Sequence, residues 1–221
     1  MIGRSLLVVG SGGHGRSVLG VVLASGNFGD ITFATNVDDP EPIGRFEMLD
    51  ERLLAVEEVK RRFDAAFVAI GDNQARLRKT RKLLAAGIEL PVLVHPSAVV
   101  SPLASIGPGT VVCPGAVVNP FARVGVGCIV NTGAVVEHDC EVADGAHLSP
   151  HSAIGGGSKV GEGSWLCVGS CMADHITLPS WSILAAGAAL VSEVDESGLY
   201  VGLPAVLKKS FKEARKREGF E

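Results

Sequence analysis

Between residues 94 and 194 an aliphatic side chain returns at every sixth position, from Val94, Val100 and Ile106 through Val136, Val142 and Leu148 to Leu184 and Leu190. Four residues after most of them stands a small one (Ala98, Ala116, Cys128, Ala134, Cys140, Ser152, Ser164), and glycine recurs at the turn between, as at Gly109, Gly127, Gly145 and Gly163. A period of six suits neither a helix nor a lone strand. It suits a coil of short strands joined by tight corners, the hexapeptide pattern of a parallel β-helix. The aliphatic side chain fills the interior, the small residue lets the chain turn beside it, and glycine at the corner permits positive φ. Three hexads close one triangular coil, so residues eighteen apart stack on one face. With coils about 4.8 Å apart the prism is roughly 25 Å tall. A Gly/Ala/Val-rich β-sandwich is the alternative, but it has no reason to keep one register for so long.

Composition narrows the function classes. Hydrophobic residues make up 47% of the 221 and aromatic residues only 5%, as a narrow prism of small aliphatics requires. A net charge of −4 argues against nucleic acid or an anionic membrane as the main partner. No stretch is long enough to span a bilayer. The segment from Met1 to Gly15 reads as a first strand and loop, not a signal peptide. Five cysteines (Cys113, Cys128, Cys140, Cys167, Cys171) all lie in the repeat, mostly where other hexads hold small residues. Packing in a reducing cytoplasm accounts for them, and no CxxC pair suggests zinc.

Residues 1–92 follow a different rule. Ser5–Val9 reads as a strand, followed by the Gly10–Gly15 loop and a helix to about Ala24. Ile31–Val37 is the expected second strand, and Asp50 the cap of a helix carrying Leu53, Leu54, Val56 and Val59. Ala66–Ile70 is the third strand, Gly71-Asp72-Asn73 opens a basic helix ending at Gly87, and Leu90–Val94 leads into the prism. Strands alternating with helices predict a small parallel, Rossmann-like α/β sheet. The division is then 1–92 α/β domain, 93–195 β-helix and 196–221 basic tail. In the tail Ser197–Leu203 reads as a turn, and the run from Lys208 to Arg217 as a solvated helix able to cap the last coil.

Two stretches carry chemistry. The Gly10-Ser-Gly12-Gly13-His14-Gly15 loop has the spacing of a dinucleotide fingerprint, with backbone amides at a helix N-terminus favouring phosphate. A tight turn needed only for packing would look the same. Asp38 and Asp39 end the second strand where a ribose or base contact is expected, and ordinary loop solvation is the plainer account. The second stretch is Asn131 to Cys140, in which Glu137-His138-Asp139 sets an outward-pointing imidazole between two carboxylates. A neighbouring carboxylate raises the basicity of an imidazole and fixes its tautomer, which suits a general base. Gly156, eighteen residues on, should stack beside His138 and leave room for a ligand. His147 is half a coil away and would reach only a groove between adjacent prisms. His151 and His175 occupy corner positions usually held by glycine and read as structural. Three imidazoles and a water across a subunit interface would make a zinc site, but the spacing singles out no three ligands, and no metal is expected.

These residues together resemble bacterial sugar-nucleotide acetyltransferases with a left-handed β-helix, related to the sialic acid O-acetyltransferases. The resemblance rests on the Gly10–Gly15 loop, the Ile70-Gly-Asp72-Asn73 run with Arg76, His95–Ala98, Asn131–Cys140, His147 and Tyr200–Ala205, in one order along nearly the whole chain. It implies a homotrimer, with acetyl-CoA between adjacent prisms and the nucleotide on the N-terminal domain. It further implies His138 as general base oriented by Asp139 with Glu137 nearby, and His147, Gly156 and Ala186 along the coenzyme. Gly12, Gly13, His14, Asp38, Asp39, Asp72, Asn73 and Asn131 would then surround the nucleotide-linked sugar. Two departures stand out: Ala185-Ala186-Gly187-Ala188 replaces a GAGA-like run, and Val206 stands where lysine is usual. Contact with the coenzyme phosphates then falls to Lys208 or Lys209. The expected activity is N-acetylation of an amino sugar on a nucleoside diphosphate, a 4-amino-4,6-dideoxyhexose for a bacterial surface glycan. The alternatives are O-acetylation of the sialic-acid type and a non-catalytic nucleotide-sugar-binding scaffold.

Overall fold

The computed structural model describes residues 3–36, 38 and 43–211. The first part comprises β1 (Arg4–Val9), α1 (Gly13–Ser25), β2 (Phe28–Thr35), β3 (Glu47–Asp50), α2 (Val56–Arg62), β4 (Ala65–Val68) and α3 (Asn73–Ala85). The four strands form one parallel sheet in the order β3-β2-β1-β4. Parallel strands are covered on both faces and so read as continuous apolar runs. Leu6, Val8, Phe33 and Phe67 pack with Val18, Val21 and Val22 of α1. Leu7, Val9, Ala34 and Ala66 pack on the other side with Val59 of α2 and Leu83 and Leu84 of α3.

Several boundaries differ from the sequence expectation. The second strand starts earlier, at Phe28, and stops at Thr35; the third is Ala65–Val68. The strand β3 was not expected at all, because its half-exposed Glu47–Asp50 lacks a clean alternation. Asp50 does cap a turn, accepting from Arg52 N at 2.9 Å, but that is a short 3-10 turn over Glu51–Leu53. The helix proper, α2, begins only at Val56. The expected strand Leu90–Val94 shrinks to Leu93–Val94. Gly87 ends α3 as expected, with φ of 76° and its N–H donating to the Leu84 carbonyl.

From Leu93 to Leu190 two-residue strands recur every six residues. They assemble into three parallel faces, and partners lie eighteen apart: Arg123 with Glu141, Ile129 with His147 and Trp165, Val135 with Ala153 and Cys171. The interior column Val112 to Leu190 is buried, as the hexad register requires. The small residues do more than leave room. Ser158 Oγ donates to the Ala173 carbonyl and Ser164 Oγ to Pro179, each at 2.8 Å. Cys128 and Cys140 do the same with their thiols toward Ala143 and Gly155. Burial pushes the Cys128 thiol up to about 12, so it is a packing group and not a nucleophile.

The tail is not a helix where it is described. Gly198–Val201 continues the eight-stranded face beside Ile183–Leu184 and buries Tyr200. Val206–Ser210 then returns antiparallel along it. Lys208 and Lys209 therefore lie on an exposed edge strand, where charge discourages edge-to-edge pairing. Residues 212–221, the rest of the expected basic helix, lie outside the described residues.

The two parts share a core. Leu93, Val111 and Ile129 point outward from the eight-stranded face and join the cluster built by α1 and the parallel sheet. That packing places the first turn of α1 against the prism.

Candidate active site

His138 lies on the prism edge between the six- and five-stranded faces. Most hexads place glycine at the next residue, where the corner needs positive φ; here Asp139 takes that conformation, with φ of 59°. Asp tolerates this region better than most residues, and the turn directs its carboxylate back at the imidazole. His138 Nδ1 lies 2.8 Å from Asp139 Oδ2. With Asp139 ionised, Nδ1 carries the proton and donates it, leaving the Nε2 lone pair toward solvent. Both side chains are 60% exposed. The hydrogen bond to Asp139 raises the His138 pKa above the ordinary imidazole value, helped by the charges of Asp139, Glu137 and Asp174. Gly156 lies beneath the ring, as the eighteen-residue stacking required: a Cβ there would sit 2.7 Å from His138 Nε2. The missing side chain makes room for the imidazole itself. Asp174, one coil further on, accepts the Gly156 N–H at 3.0 Å and fixes that corner.

A second constellation lies where α1 meets the eight-stranded face. His147 is sandwiched by register: Trp165, its strand partner eighteen residues on, stacks on it at 5.8 Å between centroids and 6° between planes. Asn131 Nδ2 approaches His147 Nε2 at 3.2 Å. His14, in the first turn of α1, has its Nε2 buried with no hydrogen-bond partner among the described residues. Burial pushes His14 down to about 4 and His147 down to about 3, with the Arg76 cation lowering both further. The seam therefore presents two neutral imidazoles. The α1 N-terminus beside it has no side-chain cap and no acid in its first turn. Among the described residues a Cβ on Gly12 or Gly13 would touch nothing within 4 Å. Packing does not demand those two glycines, whereas Gly15 lies hard against the Gly10 carbonyl.

The neutral pair has a measurable cost in acid. Both groups bind a proton near 6.5 when unfolded and only near 4 and 3 when folded, so their contribution to stability is complete above about pH 6.5 and is lost as pH falls. Discounted for partial exposure, the two together remove on the order of 2 kcal/mol by pH 5, or a Tm drop of about 5 °C. Thermal melts from pH 7.5 to 5 should show this fall, flattened in a His14→Asn/His147→Asn double variant. An equally steep curve in the variant would assign the acid sensitivity elsewhere.

Other expected site residues have different surroundings. Asp72 caps α3, accepting from Ala75 N at 2.7 Å. Asn73 spends its amide on the Gly163 and Ser164 carbonyls and on Arg76. Asp38 pairs with Arg52 on the surface, and Asp39 lies outside the described residues. Ala186 is exposed at the edge between the eight- and six-stranded faces, the same edge that holds Asn131. His138 and Gly156 occupy the next edge round, so one chain does not bring them to His14, Asn131 and His147. Sequence reasoning passed over Trp165 and Asp174, although counting eighteen from His147 and from Gly156 reaches both. Among the described residues no group of three or more His, Cys, Asp or Glu side chains is arranged to hold a metal ion, and no helix is long and apolar enough to cross a membrane.

A hexapeptide prism carrying a small parallel α/β sheet, with an exposed His–Asp pair on a corner, defines the class of left-handed β-helix acyltransferases. The comparisons with known proteins agree. Residues 5–83 match the PglD N-terminal domain. The acetyltransferase domain of PglB from Neisseria gonorrhoeae is 36% identical, with a TM-score of 0.84 over 92% of this chain and 99% of that one, and has also been solved with acetyl coenzyme A. PerB from Caulobacter crescentus, solved with CoA and GDP-perosamine, is 35% identical with a TM-score of 0.85 over 92% and 97%. A curated UDP-N-acetylbacillosamine N-acetyltransferase of Bacillus subtilis is 34% identical over 113 residues, 49% of this chain and 51% of that protein. The matched stretch thus spans about half the length of that curated relative. The chain belongs to the PglD/PerB-like family of sugar-nucleotide acetyltransferases.

Proposed function

We propose that the protein transfers an acetyl group from acetyl-CoA to the amine of a nucleoside-diphosphate-linked amino sugar, a 4-amino-4,6-dideoxyhexose destined for a bacterial surface glycan. The observation that carries this reading is the exposed His138–Asp139 pair, its Nε2 lone pair toward solvent above Gly156. The sugar amine attacks the thioester carbonyl carbon; the C–N bond forms, the C–S bond breaks, and coenzyme A leaves as the thiol. His138 Nε2 accepts the proton that the nitrogen loses and passes it to the departing sulfur, while Asp139 holds the Nδ1–H tautomer. A neutral amine is already nucleophilic, so positioning carries much of the acceleration. The bare α1 N-terminus at Gly12 and Gly13 suits the diphosphate, and His14, Asn131 and His147 supply neutral polar contacts for the sugar.

The active unit is a homotrimer. The six-stranded face exposes an apolar stripe that includes Val99, Val135 and Cys171, whereas the five-stranded face carries Arg123, Glu141 and Lys159. Three copies turning their apolar faces to a common axis set the His138 edge of one beside the Asn131 edge of the next. That arrangement joins the two constellations and leaves a groove for the coenzyme along Gly156 and Ala186. Light scattering should give three times the 22.9 kDa protomer mass. The free cysteines suit a reducing cytoplasm.

The test is thiol release from acetyl-CoA with a panel of UDP-, GDP- and dTDP-linked amino sugars. Turnover with one of them supports the reading; transfer only to a hydroxyl acceptor, or binding without any release of thiol, sinks it. The pH profile adds a prediction. Because Asp139 raises the His138 pKa, the protonated, inactive form persists above pH 6.5, so the acid limb of kcat/KM lies above that value. Asp139→Asn should move the limb to lower pH and lower the plateau. A limb that stays where it was would remove Asp139 from this role.

A further inference from the structure

We propose that Arg76, together with Asn73, is a positioning residue for the sugar-nucleotide half of the site: it clasps the α/β part onto a column of corner carbonyls of the prism. The functional side of this inference rests on the reading above; the clasp itself rests on geometry.

Arg76 projects from the first turn of α3 and is only 1% exposed. Its Nε donates to the Gly127 carbonyl at 2.8 Å, and its Nη2 donates to Gly145 at 2.8 Å and to Asn73 Oδ1 at 2.9 Å. Its Nη1 donates to the Ile70 and Gly71 carbonyls, each at 3.0 Å. Asn73 then donates from Nδ2 to the Gly163 carbonyl at 2.9 Å. Gly127, Gly145 and Gly163 stand eighteen apart, so the pair grips three successive coils at one corner. A planar guanidinium with its donors in a fixed fork can satisfy several carbonyls at once, which an ammonium cannot. Among the described residues no carboxylate is one of its hydrogen-bond partners. A buried charge held only by carbonyls is costly unless every donor is met, and here the donors are met by groups from both parts of the fold.

The corner is shaped for this approach. Gly127 and Gly145 have φ of 63° and 67°, and a Cβ on them would lie 3.3 Å from Thr80 and 3.0 Å from Leu77 of α3. The bonds to Ile70 and Gly71 extend the grip to the loop after β4. That loop touches the α1 entry: a Cβ on Gly10 would fall 2.7 Å from the Ala69 carbonyl. One side chain therefore links the prism corner to the segment that presents His14. Losing it lets the α/β part shift while His138, Gly156 and His147 stay on the prism.

The variants are Arg76→Met, Arg76→Lys and the milder Asn73→Ala, each in the full chain. Arg76→Met should raise the KM for the amino-sugar nucleotide at least tenfold, with kcat and the KM for acetyl-CoA within about threefold. Arg76→Lys, which keeps the charge but not the fork, should recover little of this, and Asn73→Ala should raise the same KM by about threefold. Both Michaelis constants rising together, kcat alone falling, or full recovery with lysine would overturn the proposal. Hydrogen exchange keeps it testable without turnover. Faster exchange across α3, with prism strands unchanged, supports the clasp in Arg76→Met, or in Asn73→Ala should the first variant not fold; unchanged exchange overturns it. Wild-type inactivity on the whole panel would sink the acetyltransferase reading and leave the exchange result to decide the clasp.

Discussion

His138→Ala is expected to lower kcat about 100- to 10,000-fold, the usual range for removing a general base, while leaving the melting temperature and the oligomeric state unchanged. The side chain is more than half exposed, and among the described residues its one side-chain hydrogen bond is to an equally exposed Asp139. Nothing buried loses a partner when it goes. Truncation also leaves the outward groove open, so the KM for acetyl-CoA should hold within a few-fold. Steady-state thiol release with the preferred sugar nucleotide gives both constants, and calorimetry gives the melting temperature. A variant that turns over like wild type would mean that the neutral amine needs no base and that the His138–Asp139 pair serves another end. A variant that is inactive because it melts early would contradict the exposure just described.

The second large effect is expected one coil away. Gly156→Ala places a Cβ 2.7 Å from Nε2 and 2.8 Å from Cε1 of His138, inside any permitted contact. Gly156 does not have positive φ, so alanine costs it no backbone strain, and the imidazole must give way instead. Displacing the ring by about an ångström, or breaking its bond to Asp139, should cost on the order of 100-fold in kcat with little change in Tm. The neighbouring Gly157→Ala supplies the contrast. Gly157 has φ of 67°, and a Cβ there meets His175. It should lose about 1–2 kcal/mol of stability to left-handed strain yet keep most of its kcat. If Gly156→Ala retained full activity, the observed ring position would not be the productive one.

The contrast between those two glycines shows what was legible in the chain. The hexad register located every interior side chain of the prism from Val112 to Leu190, because a filled core leaves no freedom of phase. Counting eighteen put Gly156 under His138 without a structure. The same count of eighteen leads from His147 to Trp165, its stacked partner one coil on. The clasp was beyond sequence reasoning for a different reason. Arg76 and Asn73 recognise backbone carbonyls, which every residue carries, so no complementary side chain marks the partner. Glu47–Asp50 escapes sequence reading because it lacks a clean alternation, and Val206–Ser210 because an exposed edge strand carries charges that suit a solvated helix equally well.

The corner gripped by α3 reads Gly109, Gly127, Gly145 and Gly163 along the prism and then changes to Trp181, whose ring lies over Gly163. Four bare positions followed by a bulky one form a rail with an end stop. A helix seated on such a rail can take only places that differ by a whole coil, and the indole forbids the next one along. The fold thus measures distance: the step between coils is the graduation, and the tryptophan marks where the scale ends.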